Sequence, residues 1–181
     1  VTCIAGITDK KKVWLMGDSA GIDVNYGKMI HSEEKVWVSG QYVLGFTTSF
    51  RMGQILKTIV FPDPPLEDLL SFMTGSFVDY ARNALLKGGF AQINKGQESG
   101  GVFMVGVLGR LFVIHSDYQV QEVLEHAAIG SGKDLALGSL LTTQTAKMTP
   151  EGRLRWALHC AATYNAGVGP PYKMVQTYEE E

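Results

Sequence analysis

Cysteine is scarce in this chain of 181 residues, occurring only as Cys3 and Cys160. Neither belongs to a Cys-x-x-Cys pair or sits near a suitably spaced histidine, which argues against a zinc centre and fits a reducing compartment. His31, His115, His126 and His159 share no metal-ligand spacing either. No metal and no cofactor is expected. The chain has no apolar run of about 18 residues and no charged-then-apolar leader, so no membrane anchor is expected and the default location is cytoplasmic. Basic residues are not in excess: 16 Lys and Arg stand against 18 Asp and Glu, for a formal charge of −2. They are scattered rather than clustered, which leaves no electrostatic footprint for nucleic acid.

What the chain has is hydrophobic content, 45% of its residues. That is enough for one folded domain with a sizeable core over residues 1–181. Two short β-branched-rich runs, residues 2–8 and 12–18, flank Asp9-Lys10-Lys11 and predict a hairpin. Residues 19–34 are rich in Gly, Asn, Ser and charge, as in a loop or an irregular short hairpin. Residues 35–39 and 41–48 alternate around Ser39-Gly40, a second hairpin with a tight turn. From Phe50 the period changes to that of a helix ending before Pro62, and a longer helix over 66–87 stops at Gly88-Gly89. Its apolar stripe is broad enough to serve both a sheet and a neighbouring subunit.

Residues 90–100 are polar and predict a loop. Two apolar runs around Gly109 predict a third hairpin, followed by a short strand at 126–129 and a helix after Gly130-Ser131-Gly132. Thr149-Pro150 reads as the N-cap and first residue of a helix reaching about Asn165. A strand over 172–178 and a charged tail at 179–181 close the chain. Strands in runs, then helices in runs, twice over, imply an α+β fold with two antiparallel sheets stacked between helix layers.

The chemistry concentrates at the start. With Val1 removed, Thr2 carries a hydroxyl and a free α-amine on one residue, a nucleophile and its general base together. The amine has an ordinary pKa of about 7.7 to 8.0, so a useful neutral fraction exists near pH 7. A buried lysine nearby pushes it further toward neutrality, and a buried carboxylate keeps that lysine charged and placed. Asp18 and Lys35 are the candidates.

Three blocks carry a resemblance: Thr2-Cys3-Ile4-Ala5-Gly6-Ile7 through Gly17-Asp18-Ser19, then Lys35-Val36, then Ala128-Ile129-Gly130-Ser131-Gly132 with Ala136-Leu137-Gly138. In them the chain resembles the proteasome β-subunit family, including the bacterial HslV peptidase, over nearly its whole length. The resemblance implies the N-terminal-nucleophile (Ntn) hydrolase fold, a four-layer αββα sandwich. It implies a threonine endopeptidase acting on protein and peptide substrates inside a homo-oligomeric ring, with an ATPase unfoldase as a further partner. It gives Thr2 the role of nucleophile and base, Asp18 and Lys35 that of the charge pair beneath it, and Ser131 that of proton relay.

By the same resemblance, the Thr48-Ser49-Phe50 turn lies where a backbone N–H meets the oxyanion, a donor worth roughly 3 to 4 kcal/mol. Thr47 and Arg51 fall near the first substrate pocket. A guanidinium there favours an acidic substrate side chain, the alternative being Arg51 on the solvent face of the helix start. The chain departs from the family at Ser49, where glycine is usual, and by one extra residue between Asp18 and Lys35, which makes Glu34 a rival for the lysine position. Thr163-Tyr164-Asn165 and Val168 stand where proteasome subunits carry an aspartate and a serine, a pattern closer to HslV.

Two other motifs compete. Gly17-Asp18-Ser19-Ala20-Gly21 fits the Gly-x-Ser-x-Gly elbow of serine hydrolases, with His115, His126 or His159 as bases, but the polar, turn-forming residues 22–28 do not supply the helix it requires. Ile129-Gly130-Ser131-Gly132-Lys133 lacks the first glycine and the final hydroxyl of a phosphate loop. An amidohydrolase acting on a small amide and a non-catalytic ring subunit that keeps Val1 remain alternatives.

Overall fold

The computed structural model describes residues 1–23, 25 and 27–178; the charged tail expected at 179–181 lies outside them. Two antiparallel sheets face each other. One has the order β12 (His126–Gly130), β1 (Cys3–Thr8), β2 (Val13–Gly17), β13 (Lys173–Gln176). The other has the order β11 (Val120–Val123), β10 (Arg110–Ile114), β9 (Phe103–Val107), β6 (Tyr42–Phe46), β5 (Val36–Ser39).

The first strand explains the architecture. All six residues of β1 are buried, because each face of the strand meets a different layer. Ile4 points inward with Val13, Leu15, Val43, Met104 and Leu111 to fill the space between the sheets. Cys3, Ala5 and Ile7 point outward beneath α4 (Lys133–Thr142) and α5 (Pro150–Tyr164), against Ala136, Leu140 and Leu158. A strand buried on both sides reads as a continuous apolar run rather than an alternating one. On the far side α1 (Phe50–Lys57), α2 (Leu69–Phe72), α3 (Val78–Lys87) and the turn that joins the last two cover the second sheet through Leu56, Met73, Phe77 and Leu85. Helices, two sheets and helices make four layers, the αββα order.

Turn and cap chemistry holds most of the expected elements. Gly40 at φ 58° closes the β5–β6 hairpin, and Thr149 caps α5 by accepting the Gly152 N–H. The differences are local. Residues 19–34, expected as a loop or an irregular short hairpin, take the second form, with β3 (Ala20–Ile22) paired to β4 (Lys28–Ile30). Residues 90–100, expected as a loop, contain the hairpin β7 (Gln92–Asn94) and β8 (Gln97–Ser99) around Lys95 and Gly96, both at positive φ. A two-residue turn of that kind suits a hairpin, and its polar strands carry no alternating signal. β11, Val-Gln-Glu-Val, was hidden for the same reason. The expected helix over 66–87 begins at Leu69, with Leu66 exposed before it, and passes through a π-helical turn at Met73–Phe77 between α2 and α3. Among the described residues no helix is long and apolar enough to cross a membrane.

Close packing between the sheets gives a stability test. A Cβ added at Gly106 meets Val13 at 2.4 Å, whereas one added at Gly138 on α4 meets nothing within 4 Å. Gly106→Ala is expected to cost about 1 to 3 kcal/mol through overpacking. Gly138→Ala is expected to be neutral or to stabilise by up to about 1 kcal/mol through helix propensity. Urea unfolding of the two variants checks the contrast.

Candidate functional site

Antiparallel pairing brings the start of the chain to one end of the sandwich. Cys3 pairs with Gly130 at the end of β12, which places Thr2 beside Ser131. Gly130 sits at φ 95°, and a Cβ there would lie 2.2 Å from the Thr2 carbonyl oxygen, so only glycine fits this crossing. The Thr2 nitrogen donates to Ser131 Oγ at 3.3 Å, and Gly132 N donates to the Thr2 carbonyl at 3.2 Å.

Beneath Thr2 lies a fully buried ion pair, Lys35 Nζ to Asp18 Oδ1 at 2.9 Å. Asp18 also accepts three backbone N–H groups, from Cys3 at 2.9 Å, Ala20 at 3.0 Å and Gly169 at 3.2 Å. The carboxylate therefore has a donor from each segment around it, as a buried charge requires. Lys35 donates further to the Ala20 carbonyl at 2.5 Å. Burial lowers its pKa, and the charge and hydrogen bond of Asp18 work against that. Lys35 Nζ and Thr2 Oγ1 converge on one oxygen, the Val1 carbonyl, at 3.5 and 2.5 Å. Between Glu34 and Lys35, the structure puts Lys35 in the site, while Glu34 pairs with Lys173 in partial exposure.

Cys3 adjoins Thr2 yet is no rival nucleophile. Burial, then the Asp18 carboxylate, push its thiol up to about 12 against a partial offset from Lys35, which leaves it protonated at neutral pH. Ser19 is 3% exposed and gives its hydroxyl to the Pro171 carbonyl at 2.7 Å. A strand follows it rather than a helix, so the serine-elbow context is missing.

The remaining expected residues divide. Ser49 caps α1 by accepting the Arg51 N–H, and its own N–H closes a tight turn onto the Thr47 carbonyl at 2.7 Å, with Thr48 at φ 67°. A cavity of about 240 Å3 opens at Thr2, with Thr48, Ser49 and Phe50 along one side. Thr47 does not line it. Its hydroxyl donates to the Val102 carbonyl at 3.0 Å, and it borders a different cavity toward His115 and Lys133. Arg51 does not line it either; its guanidinium donates to the Gly88 carbonyl at 3.3 Å from an exposed position.

Other residues enter the site without any local sequence signal. Asn165, at the C-cap of α5, donates from Nδ2 to the Ser131 carbonyl at 2.9 Å and accepts the Gly167 N–H at 3.0 Å. Lys28 donates to the Val168 carbonyl at 2.8 Å and so ties the β3–β4 hairpin to the 165–170 loop. Only the departure from the family pattern at 163–168 pointed to Asn165. Among the described residues no group of three or more His, Cys, Asp or Glu side chains is arranged to hold a metal ion.

No family model matches the chain, and no curated protein matches it. Solved structures do. "Thiobacillus denitrificans BPH in complex with Epoxomicin" superposes with a TM-score of 0.80 at 18% identity, over 99% of this chain and 100% of that one. HslV from Trypanosoma brucei gives 0.69 at 15%, over 96% and 98%. The Anbu (Gly-1) mutant from Hyphomicrobium sp. strain MC1 gives 0.68 at 17%, over 99% and 82%. The likeness is distant in sequence and covers nearly all of the chain. The fold is accordingly that of the proteasome-like Ntn hydrolases.

The buried pair sets an expectation for folding. Asp18→Asn leaves the Lys35 charge without its counter-ion and is expected to cost about 3 to 5 kcal/mol. Adding Lys35→Met to it is expected to recover part of that loss. Chemical denaturation of the single and double variants measures both, and a double variant no more stable than Asp18→Asn counts against the pairing.

Proposed function

We propose that the protein is an N-terminal threonine peptidase of the proteasome/HslV type. The observation that carries this is the convergence at Thr2: Ser131 on its nitrogen, Lys35 directed to the same oxygen as its hydroxyl, and Asp18 holding that lysine. The likeness of fold to HslV supports it. Thr2 Oγ attacks the scissile carbonyl carbon while its proton passes to the α-amine, with Ser131 relaying it. The developing oxyanion takes the Ser49 N–H, which exchanges the neutral Thr47 carbonyl for a charged and stronger acceptor. Collapse expels the leaving amine, which takes up the proton, and leaves an ester on Thr2. Water deprotonated by the Thr2 amine then hydrolyses that ester.

The mechanism needs the amine free. While Val1 is attached, the Thr2 nitrogen is an amide and cannot accept a proton, so a chain that retains Val1 is the non-catalytic subunit. We place the single domain in a homo-oligomeric ring acting on protein substrates in the cytoplasm, with an ATPase unfoldase as partner. The exposed Leu70, Tyr80 and Leu86 along α2 and α3 give it apolar surface for a neighbour. Light scattering that reports a monomer at micromolar concentration overturns the ring.

Four substitutions test the chemistry on a peptide substrate, with intact mass and N-terminal sequencing establishing the start of the chain. Thr2→Ala is expected to abolish turnover and Thr2→Ser to retain part of it. Ser131→Ala is expected to lower the rate by about 10²- to 10⁴-fold, the range for a lost proton-transfer group. Ser19→Ala is expected to cost less than Thr2→Ala. Full activity in Thr2→Ala together with loss in Ser19→Ala transfers the role of nucleophile to the serine.

A further inference from the structure

The cavity at Thr2 has a chemistry of its own. Besides Val1, the residues Ile22, Met29, Phe46 and Phe50 give it apolar walls, and among the described residues no Asp, Glu, Lys or Arg side chain lines it. Its ionisable side chain is His31, whose ring stacks on Phe50 with centroids 3.9 Å apart and planes at 26°. The imidazole is also held at its Nε2–Cδ2 edge by the chain itself. A Cβ at Gly21 would lie 2.3 Å from His31 Nε2, so the ring lies against bare backbone and has no room to swing that way. Lys35 approaches the Phe50 ring, at 5.6 Å from its centroid, but its charge is committed to Asp18.

A peptide whose carbonyl carbon lies at Thr2 Oγ lays the side chain of that same residue into this cavity. We propose that the cavity selects a substrate with an aromatic or large aliphatic side chain at that residue, with the stacked His31–Phe50 pair as the wall that decides it. This rests on Thr2 being the nucleophile. An apolar side chain gains by leaving water against Ile22, Met29 and Phe50, and an aromatic one adds ring contact with His31 and Phe50. A carboxylate or guanidinium loses hydration there and meets no opposite full charge to replace it. Arg51, the one guanidinium that could favour an acidic side chain, is held at Gly88 outside the cavity.

The test uses the protein with a free Thr2 amine and four peptides that share a fluorogenic leaving group and differ only in the residue before it: Phe, Leu, Glu or Arg. The expected kcat/KM for Phe and Leu exceeds that for Glu and Arg by roughly tenfold or more, and all turnover vanishes in Thr2→Ala. His31→Glu is expected to raise the Arg peptide relative to the Phe peptide by a similar factor. Thr2-dependent turnover in which Glu or Arg equals or exceeds Phe and Leu overturns the selectivity and leaves the nucleophile standing. Absence of Thr2-dependent turnover on all four overturns the nucleophile, and the selectivity with it. A folded His31→Glu that leaves the ratios unchanged removes His31 as the deciding wall, and should that variant not fold, the four-peptide comparison on the parent chain decides alone.

Discussion

The Asp18–Lys35 pair is the interaction on which the rest depends. Two unit charges at 0% side-chain exposure are costly to desolvate, and their mutual attraction offsets that only when every other polar valence is also met. Here the valences are met from several parts of the chain. Asp18 receives N–H groups from the start of β1, from β3 and from the 165–170 loop, and Lys35 spans to the Ala20 carbonyl. The pair therefore acts as a pin through four segments, and the geometry of Thr2 is a consequence of it.

The same pin separates the two neighbouring side chains that could attack a carbonyl. Burial and the Asp18 carboxylate hold the Cys3 thiol in its protonated form, while the Thr2 hydroxyl stands on the side reached by Lys35 and Ser131. The two adjacent residues thus sit in different surroundings, Cys3 buried within β1 and Thr2 just before it at the cavity.

Much of this was legible in the chain. Cys3-Ile4-Ala5-Gly6-Ile7 reads as a strand of the first hairpin, and the Thr149-Pro150 cap and the glycines at the hairpin turns act locally, so each could be read from its own neighbours. The fold followed from the order of such signals. The site was legible through Thr2, Asp18, Lys35 and Ser131 as a pattern, and the structure brings these four together. Thr47 and Arg51 were placed near a substrate pocket by the resemblance, which does not fix the side of the turn each side chain takes: the Thr47 hydroxyl meets the Val102 carbonyl and the Arg51 guanidinium reaches that of Gly88. Asn165 and Lys28 act across long separations through backbone carbonyls, which leave no mark on composition or period. β7, β8 and β11 pair through polar residues, so pairing without an apolar face gave the pattern nothing to show.

The position of β1 in the middle of its sheet has a consequence for the order in which the protein comes into being. This strand is flanked on one side by its hairpin partner β2 and on the other by β12, and Thr2 meets Ser131 across 129 residues of chain. The Asp18 carboxylate waits still longer, since its Gly169 donor lies 151 residues further on. Contacts of such separation form late, after the cost of closing the intervening chain has been met. A growing chain thus carries Thr2 before Ser131 and the Gly169 donor to Asp18 exist. The nucleophile we propose would reach its working environment only once the chain through Gly169 had left the ribosome.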